Sequence, residues 1–168
     1  MQGGLIGKIY HSRGLCYKRR VSIGKKPDSP TPPGLNWDLF LGPAPLRPFN
    51  ELRFAYNWHW FWDFGNGEIG NQGVHQMDIA RWGSPGATLP NRVWSLGGRF
   101  GYEDQGETPN TMFAMAEYPN GQSVFFNVRN VNYDGYEHQV ENEYYFEDGG
   151  KIVDGKYYAK GSDKGEGL

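Results

Sequence analysis

The chain alternates most regularly at residues 54 to 64, FAYNWHWFWDF, where every even position is aromatic. That period of two predicts an extended segment with one aromatic face. Gly65-Asn66-Gly67 interrupts it, and EIGNQGVHQMDIARW follows with the period of a helix. At about 100° per residue, Ile69, Gly73, Met77 and Ala80 form one stripe. Asn71, His75, Asp78 and Trp82 form a second stripe on the opposite side. Gly70 and Gly73 cost helix propensity, about 1 kcal/mol each against alanine. Glycine there lets the helix approach a neighbour or a ligand closely.

Upstream, residues 5 to 15 alternate loosely and predict a strand. Residues 25 to 50 hold seven prolines and predict coil, pinned to a core by Trp37, Leu39, Phe40 and Leu41. Lys18, Arg19 and Arg20 read as a solvated loop. From residue 91 the pattern turns to sheet. RVWSLGGRF is a strand, and residues 111 to 131 a hairpin turning at Pro119-Asn120-Gly121. Two or three short strands follow around Gly149-Gly150 and Asp154-Gly155, and a polar tail is expected to fray. The order predicts an α+β fold, a mainly antiparallel open sheet with helices on one face.

Composition narrows the partners. With 168 residues the chain fits one domain. A net charge of −2 gives no basic field for nucleic acid, and no apolar run reaches membrane-spanning length. The lone Cys16 excludes an internal disulfide and reads as a buried small apolar side chain. The four histidines lack metal-ligand spacing, so no metal is expected. Gly65, Gly67 and Gly70 come close to a G-x-G-x-x-G fingerprint, but they follow an aromatic run where the fingerprint needs an apolar strand.

Two groups remain as a candidate site. His75, four residues after Asn71 and three before Asp78, offers a general acid or base with polar neighbours. Trp58, Trp60 and Trp62 offer flat apolar faces for the C–H side of a sugar, while Asp78 and Asn71 serve its hydroxyls. The dull alternatives are a solvent-facing helix stripe and tryptophans that fill the core.

GNGEIGNQGVHQMDIARWG resembles the signature of the Gfo/Idh/MocA oxidoreductases, a glycine run and then D-x-G-x-H-x-x-D on a helix. RGLCYKRRVSIGK, WDLFLGPAPLRPFN and GGRFGYEDQGETPNT are similar to a bacterial subgroup, extending the likeness over nearly the whole chain. The resemblance implies two-domain enzymes that use NAD or NADP to oxidise or reduce a sugar or cyclitol carbon. It implies that an N-terminal Rossmann domain holds the dinucleotide and supplies a catalytic lysine. The second domain binds substrate and mediates homo-oligomerisation through its sheet. By position, His75 matches the acid/base histidine, Asn71 stands where many members carry aspartate, and Asp78 matches the later aspartate in a supporting role. Asn71 departs from the pattern because a neutral amide cannot stabilise an imidazolium as a carboxylate would. Lys25-Lys26-Pro27 lies in the wrong domain to be the lysine motif. Residues 1–168 are therefore expected to form part of the second domain, without the dinucleotide-binding domain, binding no cofactor and inactive alone. Two rivals stay open: a non-catalytic carbohydrate-binding or assembly module, and part of an NAD-dependent glycoside hydrolase.

Overall fold

In the computed structural model, residues 6–135 and 137–167 are described. β1 (Ile9–Tyr17) opens the chain, followed by the short helix α1 (Trp37–Leu41) and two 3-10 segments, Glu51–Arg53 and Ala55–Trp60. The helices α2 (Glu68–Asn71) and α3 (Gly73–Arg81) come next. The remainder is strand: β2 (Arg92–Gly98), β3 (Thr111–Glu117), β4 (Ser123–Arg129), β5 (Gln139–Phe146), β6 (Lys151–Val153), β7 (Lys156–Tyr158) and β8 (Glu166–Gly167). They form one eight-stranded sheet in the order β2-β3-β4-β1-β5-β6-β7-β8. Every pairing is antiparallel except β1 with β4, which runs parallel from His11 opposite Ser123 to Cys16 opposite Val128.

This is the α+β open sheet that the alternation predicts. On β3 and β4 the burial alternates, with Met112, Ala114, Ala116, Val124, Phe126 and Val128 all turned to one face. α3 covers that face across β1, β4 and β5. Its inward stripe is the one expected from the helical period: Gly73 and Ala80 are buried, and Ile69 and Met77 pack on the sheet cluster. Gly73 brings the helix unusually close, since a Cβ there would stand 2.8 Å from the Phe126 ring. Among the described residues no helix is long and apolar enough to cross a membrane.

Several local expectations are corrected. The aromatic segment is not extended; Ala55–Trp60 winds into a 3-10 helix. Leu39 is not an anchor but 76% exposed, while Trp37 and Leu41 are buried beside Phe49. Asn36 caps that short helix by accepting from the Leu39 N–H. Part of the tail pairs as β8 against β7. The strand at the start is Ile9–Tyr17, two residues longer at its C-terminal end than expected; residue 5 lies outside the described residues.

Candidate functional site

The aromatic segment and the start of the helix pair enclose a cleft of about 490 Å³, lined by Trp58, His59, Trp62, Phe64, the 65–67 turn, Gly70 and Asn71. Trp58 and Trp62 are 41% and 58% exposed and supply its aromatic wall. Trp60 does not belong to that wall. It is 3% exposed, packs with Leu52 and Phe61, and lies under the Arg99 guanidinium at 4.9 Å. Winding the segment into a 3-10 helix turns this ring inward, where the even-position pattern had grouped it with its neighbours.

The segment is held from outside. The Trp60 carbonyl accepts from the Glu107 and Thr108 backbone N–H groups at 2.8 and 3.1 Å. Glu107 accepts from the Trp62 N–H at 2.9 Å. Gly67 makes the turn into α2 with a φ of +70°, and a Cβ there would meet Thr108 Oγ1 at 2.8 Å. That conformation favours glycine.

Beneath the cleft lies a charged network that the sequence pattern did not reveal. Arg20, expected in a solvated loop, instead donates through Nε to Glu68 Oε1 at 2.5 Å. Glu68 is fully buried. Burial works against the Arg20 charge, but Glu68 outweighs it and raises the guanidinium pKa. Glu68 Oε2 accepts from Cys16 Sγ and from Asn71 Nδ2, each at 3.5 Å. Burial, with the Glu68 charge beside it, pushes the Cys16 thiol up to about 12. A buried acid on a helix between two glycines was the available sequence signal, and only an opposing cation brought by folding gives it meaning.

His59 is also buried. Its Nδ1 donates to the Tyr56 carbonyl at 2.6 Å, which places the proton on that nitrogen. Burial lowers its pKa, the Tyr56 bond opposes this, and Arg20 and Arg99 add to the lowering. The imidazole is thus kept neutral in the floor of the cleft.

His75 and Asp78 stand on the exposed face of α3. His75 lies one turn beyond Asn71, and among the described residues no hydrogen bond holds its ring. Asp78 pairs loosely with Arg81 at 3.5 Å. Of the candidate residues, the fold brings Trp58, Trp62 and Asn71 to the cleft lining, leaves His75 and Asp78 outside that lining, and buries Trp60. Among the described residues no cluster of three or more potential ligands could hold a metal ion.

The model of the oxidoreductase family C-terminal alpha/beta domain, of Gfo/Idh/MocA type, matches residues 6–84. That stretch is similar to the C-terminal domain of the Gfo/Idh/MocA oxidoreductases. The sheet of the chain matches the second domain of these dehydrogenases. An oxidoreductase domain protein from Kribbella flavida superposes with a TM-score of 0.59 at 15% identity, covering 98% of this chain and 40% of that one. Levoglucosan dehydrogenase in complex with NADH gives 0.58 at 17% identity, with the same coverage. The WlbA dehydrogenase from Bordetella pertussis, in complex with NADH and UDP-GlcNAcA, gives 0.53 at 15% identity over 93% of this chain and 35% of that one. At these identities the likeness carries the fold. The chain spans 40% or less of the length of these three proteins. Among curated proteins, no sequence matches it.

Proposed function

We propose that this Gfo/Idh/MocA-like domain is the substrate-binding part of an NAD(P)-dependent oxidoreductase acting on a CH–OH group of a sugar or cyclitol. The observation that carries the reading is the junction of α2 and α3. There Asn71 lines an aromatic cleft, and His75 stands one turn further along the helix. Solved relatives of the same fold, levoglucosan dehydrogenase and WlbA, carry NADH and, for WlbA, a sugar nucleotide.

In this reading Trp58 and Trp62 take the apolar face of the ring, and Asn71 orients a hydroxyl. His75 receives the proton of the carbinol hydroxyl as the carbon is oxidised, or returns it in the reverse direction. Asp78 supports the helix face that carries His75. The nicotinamide accepts or gives the hydride, and a domain outside these residues holds it. The open face of the sheet supports assembly with a second copy. Trp94, Leu96 and Phe113 share that face by cross-strand register and are exposed.

Exchanging His75 for alanine in the intact enzyme should cut turnover at saturating sugar roughly 10²- to 10⁴-fold with sugar affinity retained. Unchanged turnover would remove the catalytic role and favour a non-catalytic carbohydrate-binding or assembly module. Net hydrolysis of a glycoside, dependent on tightly held NAD, would place the domain in a glycoside hydrolase.

A further inference from the structure

A neutral amide at position 71 can face a ligand with either its oxygen or its NH2, and the two choices select opposite chemistry. Four contacts at and beneath the cleft decide between them. Glu68, buried one turn before Asn71, accepts from Arg20 Nε at 2.5 Å through Oε1. Its Oε2 lies 3.5 Å from both Cys16 Sγ and Asn71 Nδ2. The Tyr56 hydroxyl lies 3.5 Å from the same Nδ2. The Asn71 contacts are long, but their polarity permits one orientation. A carboxylate that accepts from a guanidinium has no hydrogen to offer an amide oxygen. The NH2 of Asn71 must therefore turn inward, and Oδ1 is the end left for the cleft.

We infer that Glu68, anchored by Arg20, is a positioning residue that fixes the Asn71 amide with its carbonyl oxygen toward the cleft. The site therefore takes a neutral ring presenting a hydroxyl there, and disfavours a ring carrying a carboxylate or phosphate at that position. The substrate class rests on the sugar-oxidoreductase reading, whereas the amide orientation stands without it. Glu68 thus sets the polarity of the site while its own side chain stays out of reach of substrate.

The variant Glu68→Gln separates this role from simple support. Arg20 would claim the oxygen of the introduced amide, so the introduced NH2 would face the NH2 of Asn71. Relief comes from turning the Asn71 amide over, which puts a donor into the cleft. The side-chain amide signal of Asn71, assigned by its loss in Asn71→Asp, reads this by NMR on the full chain. In the wild type its protons should exchange with water at least about tenfold more slowly than those of the exposed Asn66 and Asn132. They should also show Overhauser contacts to the Tyr56 ring. In Glu68→Gln the protection and those contacts should disappear. Exchange in the wild type as fast as at Asn66 and Asn132 would overturn the inference, even where the variant does not fold. Protection that survives in Glu68→Gln would overturn it equally. Titration with methyl glucoside and methyl glucuronoside adds the polarity test. The wild type should favour the neutral ring, and Glu68→Gln should shift the ratio toward the acid by about tenfold, one hydrogen bond reversed in sign. An unshifted ratio would overturn the selectivity. If neither glycoside binds, the sugar reading fails, while the amide measurement still decides the role of Glu68.

Discussion

Acid should loosen the packing behind the cleft through one carboxylate, Asp104. Its side chain is fully buried and paired with Arg99, whose Nε and Nη2 each reach an oxygen at 2.7 Å. The Ile23 and Gly106 N–H groups donate to it at 2.9 and 3.0 Å. Burial alone would raise its pKa. These donors, with Arg99 foremost, outweigh burial and hold it at about 2, below the ordinary 3.8. A folded value below the unfolded one means that the native state binds this proton less tightly. The stability contributed by Asp104 is therefore complete above the unfolded value and is lost as the pH falls through the folded value. The gap between 3.8 and about 2 corresponds to on the order of 2–3 kcal/mol. Arg99 lies over Trp60, and the following residues, Glu107 and Thr108, hold the Trp60 carbonyl. The loss should thus appear in tryptophan emission. Urea unfolding of the wild type and of Asp104→Asn, from about pH 5 to about pH 2, measures it. The variant starts less stable, and the wild type should lose on the order of 2–3 kcal/mol more across that window. Parallel losses in the two proteins would refute the assignment of the shift to Asp104.

The tryptophans of the aromatic segment should separate in thermal melts. Trp60→Ala should cost about 3–5 kcal/mol, a fall of roughly 6–20 °C in Tm, because the ring is core. Trp62→Ala should stay within about 0.5 kcal/mol of wild type and weaken sugar binding instead. Cys16, buried with its thiol pushed up to about 12, should resist a disulfide reagent at about pH 8 in the native protein and react promptly in urea. Prompt reaction without denaturant would show that the Cys16–Glu68 contact opens readily.

The helix was legible because its period fixes which side chains share a face. Ile69, Gly73, Met77 and Ala80 turn to the sheet, and His75, Asp78 and Trp82 turn away from it. The hairpin was legible for the same local reason, with Gly121 at a φ of +81° after Pro119-Asn120. The aromatic segment was misread because rings at every even position suit a strand and are equally compatible with alternation between core and solvent. The Trp60 carbonyl at its end is held by a pair of N–H groups far along the chain, at Glu107 and Thr108. The parallel pairing of β1 with β4 is just as non-local. The Arg20–Glu68 pair was invisible for that reason too. A basic cluster before a proline-rich coil carries no mark that one of its members closes under a helix 48 residues later.

The most direct test of the account is redox turnover itself. The intact protein is incubated with NAD or NADP and a panel of neutral sugars and cyclitols, and the absorbance of reduced nicotinamide is followed. The account predicts that at least one neutral sugar yields reduced nicotinamide and that His75→Ala slows this roughly 10²- to 10⁴-fold while the sugar still binds. A sugar that binds in the cleft without any reduced nicotinamide formed would contradict it.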